Sequence, residues 1–257
     1  MDKELLKIRH SAAHILAQAV LRLYPNTKIG MGPTIEEGFY YDFDKKDGFS
    51  NENLKKIEKE MKKIVNANYP IKEYKATKKE FDEFLKKQPF KKELYNDFKK
   101  EKKKITFYKQ AEYIDLCAGN HVKSTGEVKN FKLLRIAGAY WKGDSKNKML
   151  TRIYGTAFPT ELELTEYLTM QEEAAKRDHK KIGKELNLFM TSELVGPGLI
   201  MWLPRGETIK REIENFAIEQ EKKAGFQRVS TPHLAKKELF VKSGHIPYYE
   251  ESMFPKM

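Results

Sequence analysis

Three of the six histidines in this 257-residue chain fall in patterns that suit catalysis or metal binding. His10 and His14 are four residues apart, so on a helix their imidazoles share a face. His121 lies four residues after Cys117, the only cysteine, in Asp115-Leu116-Cys117-Ala118-Gly119-Asn120-His121. Each piece alone is ordinary. A histidine pair on an amphipathic helix is more often structural than functional, and a buried cysteine is usually an inert small hydrophobe. Together the two clusters repeat one spacing and supply three imidazoles and a thiol. Asp115 adds a carboxylate, and Gly119 fits a tight loop that points Cys117 and His121 the same way. Two chemistries use such a set. His3Cys is a tetrahedral zinc set, although a hydrolytic zinc keeps one position for water. Alternatively, imidazoles with a nearby Lys or Asp orient water toward an ester carbonyl without a metal. The residue types serve both and leave the choice open.

The elements that must position these residues are legible in the hydrophobic spacing. The first 24 residues read as one helix, with apolar positions at helical intervals and Pro25 as its stop. Aromatics and glycines over 29–44 read as a hairpin, and 51–67 as a second amphipathic helix. A short strand is expected over 71–76, then a Lys-rich helical stretch over 78–104 that reads as a solvated face. Strands are expected over 105–108, 113–116, 131–139 and 149–156, and one long helix over 160–186. After about residue 187 the character changes. A short apolar strand over 199–203 leads to a helix over 207–224 capped by Gly225, then a strand over 226–232 that ends in Pro232. The Phe254-Pro255-Lys256-Met257 end shows no turn or helix-end signal, so the second unit reads as cut off.

Composition narrows the class. Lys and Arg number 49 against 37 Asp and Glu, a formal charge of +12 at pH 7, which favours a polyanionic partner, RNA ahead of a membrane surface. Solvated lysine explains much of the same charge. No apolar run approaches the roughly 18–20 residues of a membrane-spanning helix. The Met1-Asp2-Lys3-Glu4 start has no secretory signal, and one cysteine cannot form an internal disulfide. A reducing, cytoplasmic setting is therefore expected. The length allows one large domain, or one domain plus part of another.

Longer motifs point to a family. Arg9-His10-Ser11-Ala12-Ala13-His14, then the segment from Gly32-Pro33-Thr34 to Tyr41-Asp42, and the Asp115–His121 segment resemble the editing domain of the bacterial-type threonyl-tRNA synthetases. So do Ala137-Gly138-Ala139-Tyr140-Trp141-Lys142-Gly143-Asp144-Ser145 and Arg152-Ile153-Tyr154-Gly155-Thr156-Ala157. The stretch 172–183 resembles the helix that joins that domain to the aminoacylation domain, and 207–232 resembles motif 1 of class II synthetases. The resemblance covers essentially the whole chain.

It implies an α+β fold: an editing domain over 1–160 with an antiparallel sheet flanked by helices, a helical linker over 161–186, and a truncated class II catalytic start over 187–257. It implies hydrolysis of seryl-tRNA(Thr), a correction that is needed because a pocket rejects a substrate one methyl smaller by only about 10–200-fold. The implied catalytic residues are His10, His14, Cys117, His121, Asp115 and Lys91, with Tyr41 as a substrate contact. Family members are thought to edit without metal, so no cofactor is expected for editing. ATP, Mg and Zn belong to the full enzyme, whose motifs 2 and 3 and zinc-binding Cys and His would lie beyond Met257. Ligase activity is therefore not expected of this chain alone. The family's N-terminal ubiquitin-like module is likewise expected to be absent. The expected partners are tRNA(Thr) and, through motif 1, a second copy in a homodimer, with no membrane. Ala118 and Asn120 depart from the Arg and Pro common in the family, which puts a phosphate or adenosine contact in doubt. Two rivals share the same residues: a zinc-dependent aminoacyl-tRNA deacylase, and an RNA-binding module with a vestigial site.

Overall fold

The computed structural model describes residues 2–101, 106–117 and 119–253. The expectations placed on the lysines at 102–104, on residue 105, on Ala118 and on 254–257 lie outside those residues. The chain divides into two compact units, Met1–Ala175 and Lys176–Met257.

The first unit starts with helix α1 (Lys3–Leu23). Asp2 caps it by accepting from the Glu4 N–H, and the helix stops just before Pro25. Ala12, Ala13, Ala17 and Ala19 are buried along α1, so the helix lies close to what it packs on. Then come β1 (Lys28–Ile29), β2 (Thr34–Ile35), β3 (Gly38–Asp44) and α2 (Asn51–Ala67). A reciprocal Ser50–Asn53 capping box starts α2, and Leu54, Ile57, Met61, Ile64 and Val65 form its buried stripe. Next are β4 (Lys72–Tyr74), α3 (Lys78–Lys87), α4 (Pro89–Lys100), β5 (Thr106–Gln110), β6 (Tyr113–Cys117), β7 (Asn130–Tyr140), β8 (Met149–Phe158) and α5 (Glu161–Lys176).

Two antiparallel sheets result. One runs β1-β3-β8-β7, with β2 paired to β3, and the other runs β4-β5-β6. Helices α1 and α2 cover the inner face of the larger sheet. Phe39, Tyr41, Phe43 and Ile153 point into that core and alternate with outward residues such as Tyr40 and Tyr154. The α+β reading with an antiparallel sheet flanked by helices therefore holds.

Two long helices expected from the sequence are each divided. Pro89 has no N–H and disfavours helical geometry at Gln88, so the stretch from 78 becomes α3 and α4. Asp178 caps a new helix, α6 (His179–Glu185), so the stretch from 160 is also two helices. In the second unit α6 is followed by a short antiparallel pair, β9 (Phe189–Met190) and β10 (Met201–Trp202), then α7 (Pro204–Lys223), α8 (Lys237–Lys242) and α9 (His245–Tyr248). The strand expected over 226–232 does not form. Among the described residues nothing pairs with that stretch, and an extended segment without a ladder partner is not a strand. No helix among the described residues is long and apolar enough to cross a membrane.

Candidate active site

The two histidine-bearing segments, more than a hundred residues apart in sequence, meet in one cluster. Helix α1 presents His10 and His14 on successive turns. Strand β6 alternates, so Tyr113, Asp115 and Cys117 share a face. The turn after β6 then brings His121 back against α1. Gly119 allows this close approach: a β-carbon there would collide with the His10 ring, which would have to move. The ring centroids are 4.2 Å apart for His10–His121, which are stacked, 4.2 Å for His14–His121 and 5.0 Å for His10–His14. Cys117 Sγ is 3.2 Å from His121 Nε2. One potential ligand atom from each of these four residues lies within 4.8 Å of the others.

The site has two depths. His10, Cys117 and His121 are only partly buried, while His14 is 2 % exposed. Behind them Asp115 gathers four donors. Lys91 Nζ is 2.6 Å and the Leu116 N–H 2.7 Å from Oδ1, while the hydroxyls of Tyr41 and Tyr113 donate to Oδ2 at 2.6 and 2.8 Å. His14 Nε2 stands 3.7 Å from Oδ2, too far for a hydrogen bond. Lys91 is the one buried residue of α4, whereas the neighbouring Lys92 faces solvent. Its ammonium also lies 5.2 Å from the Tyr41 ring centroid. Tyr41, expected as a substrate contact, is fully buried with its hydroxyl bound to Asp115, so it supports the site from behind.

Burial sets the protonation states. It lowers the pKa of His10, and it lowers that of His14 well below the ordinary histidine value, helped by the neighbouring imidazoles. His121 is brought down to about 3 by burial and by His10. The Cys117 thiol is pushed up to about 12 by burial and then by Asp115. At neutral pH the cluster thus holds neutral imidazoles and a protonated thiol, which is a poor nucleophile. His14 Nδ1 is buried with no hydrogen-bond partner among the described residues. In number and type the four side chains fit a soft divalent cation, whose charge would deprotonate the thiol. If all four ligated, no position would remain for water.

Three further residues at the site were not singled out from sequence. Ser11 is buried and bonds both His121 and the Val122 N–H; its three-residue spacing from His14 is the signal that places it on the same helix face. Tyr113 is two residues before Asp115 in a strand, which is enough to predict a shared face. Tyr108 packs on His121 with ring centroids 4.5 Å apart, a contact made only by the β5–β6 pairing.

Residues 105–154 match the family described as the threonyl and alanyl tRNA synthetase second additional domain. The chain is 52% identical, over 97% of its length, to the threonine–tRNA ligase of Streptococcus gordonii. It is 51% identical over the same share to those of Streptococcus sanguinis and Streptococcus pneumoniae. It spans 39% of the length of each of these relatives. Over the part of those proteins that it spans, the chain is similar to the bacterial threonine–tRNA ligases, and residues 105–154 carry the match to the second additional domain.

Proposed function

We propose that the first unit hydrolyses the ester of a mischarged aminoacyl-tRNA, with seryl-tRNA(Thr) as its substrate. The observation that supports this best is the convergence of His10, His14, Cys117 and His121 in one partly exposed cluster backed by Asp115 and Lys91. The His10 imidazole, its pKa lowered by burial, is neutral at physiological pH and so is able to accept a proton from water. His10 Nδ1 lies 3.3 Å from the Asn120 carbonyl, an acceptor, so Nδ1 carries the proton and Nε2 keeps its lone pair. His10 is the base in this reading, and it turns a water toward the acyl carbon. Cys117, His14 and His121 line the acyl and adenosine side, and Asp115, Lys91 and Tyr41 hold them from within. Threonine is rejected because its extra methyl clashes once its hydroxyl and amine are held.

The longer protein, in this reading, ligates threonine to tRNA(Thr) with ATP, Mg and Zn. Its editing domain lies over 1–160, a helical linker over 161–186 and the class II catalytic start over 187–257, where motif 1 pairs two copies. Such an enzyme works in the cytoplasm, where proteins are made. One assay tests the central claim: deacylation of seryl- against threonyl-tRNA(Thr). Rapid loss of serine with threonine spared is expected, and the double variant His14→Ala/Cys117→Ala should abolish it. Unchanged seryl-tRNA turnover in that variant would end the assignment. A second reading, a zinc-dependent deacylase, draws on the ligand atoms lying within 4.8 Å. Stoichiometric zinc in the purified protein, lost in His10→Ala, would favour it.

A further inference from the structure

Ser11 lies between the two histidines of α1 and has no exposed surface. Its Oγ accepts the Val122 N–H at 3.1 Å. A serine hydroxyl has a single proton to give, and a buried one needs an acceptor. Among the described residues, the one other recorded partner of this Oγ is Nδ1 of His121, also at 3.1 Å. The hydroxyl proton therefore goes to Nδ1, which must present its lone pair. A neutral imidazole whose Nδ1 accepts carries its proton on Nε2, and Nε2 of His121 is 3.2 Å from the partly exposed Cys117 Sγ.

We infer that Ser11 is a positioning residue that locks His121 in its Nε2–H tautomer, so that His121 meets the substrate as a hydrogen-bond donor. This rests on the proposed ester hydrolysis for its meaning, but the tautomer itself belongs to the resting protein. Val122 lies directly after His121, so one serine fixes both the loop backbone and the ring beside it. Tyr108 packs on that ring and His10 stacks on it, which limits rotation. The lock also bears on metal binding. A histidine that ligates through Nε2 needs Nε2 free of its proton and Nδ1 protonated. Here Ser11 enforces the reverse. To admit a cation at Nε2, its hydroxyl would have to turn and leave its own proton without an acceptor.

The test is nitrogen NMR of the intact chain labelled at its histidine side chains, at neutral pH, with His121→Gln used to assign the signals. The expected result is a His121 ring with a protonated Nε2 and a lone-pair Nδ1. In Ser11→Ala the pattern should collapse toward a mixture of the two tautomers. A wild-type ring protonated at Nδ1 overturns the inference, as does a pattern unchanged in Ser11→Ala. Added zinc that binds through Nε2 with Nδ1 protonated overturns it too. If Ser11→Ala does not fold, the wild-type spectrum alone decides. In the seryl-tRNA assay, Ser11→Ala should lower kcat about tenfold with KM little changed, the mark of a contact made mainly in the transition state. A correct tautomer in a protein that hydrolyses no mischarged tRNA would leave this inference standing and remove the proposed function instead.

Discussion

Asp115 accepts four hydrogen bonds on two oxygens, and that number decides what its neighbours are free to do. With Oδ2 occupied by two tyrosine hydroxyls, His14 stays 3.7 Å away and is not oriented as the histidine of a carboxylate-linked triad would be. The carboxylate instead neutralises Lys91 inside the fold. Removing it should be severe: Asp115→Ala leaves a buried ammonium unpaired, at a cost of about 3–5 kcal/mol. Tyr113→Phe removes one donor of four and should cost only about 1 kcal/mol. Chemical denaturation of the two variants checks the contrast, and equal losses would contradict it. Acid should also destabilise the fold. An imidazole whose folded pKa is lowered contributes stability that is complete above its unfolded value of 6.5 and is lost as pH falls from there toward about 3. The melting temperature should therefore drop steadily below pH 6.5, and His121→Asn should flatten that slope. A slope identical to wild type would mean that the ring protonates freely in the folded protein. His10, His14, Cys117, His121 and Asp115 were legible from spacing because chemistry restricts which residue types suffice, whereas Lys91 and Tyr41 came only from the family resemblance. Ser11 and Tyr113 were less so: their importance comes from a hydroxyl aimed at one particular atom, which no spacing displays.

At the scale of elements, the site depends on α1 being held at the right depth. Arg9, buried next to His10 on α1, donates to the carbonyls of Ala157 and Glu36 at 3.3 and 2.6 Å, pinning the helix to β8 and to the turn after β2. The loop after β6 is set by Gly119. In Gly119→Ala the new methyl would collide with the His10 ring, which must swing out of its stack on His121. Because a displacement of about 1 Å at a reacting group costs on the order of 100-fold in rate, deacylation should fall by that order while the melting temperature changes little. Full activity in that variant would show that the close approach is dispensable. Helices α1 and α2 were readable to within a residue or two, since each has its own cap and a continuous apolar stripe. The breaks at Gln88 and Asp178 were misjudged: the Lys- and Glu-rich sequence on either side favours helix throughout, and one proline and one capping aspartate interrupt it. The strand expected over 226–232 failed for a different reason, because pairing is a property of two segments and the sequence displays one.

For the molecule as a whole, the formal charge of +12 and the match to a tRNA synthetase domain both favour RNA as partner. If phosphates dominate the contact, affinity for tRNA(Thr) should fall linearly with the logarithm of salt, by roughly 0.9 decade per decade of salt for each phosphate neutralised on duplex regions. Affinity indifferent to salt would assign the charge to solvation alone. The α+β class and the likeness to threonine–tRNA ligases were legible because the motifs are spread along the chain. The way two sheets and a helix jointly surround one carboxylate was not. Asp115 belongs to the smaller sheet, Tyr41 to the larger one and Lys91 to α4. Those three polar groups therefore fasten the architecture as well as the histidine cluster, and leave an engineer little freedom to change one without the other. A substitution at Asp115, Lys91 or Tyr41 would loosen the contacts that join the two sheets and α4 at the same time.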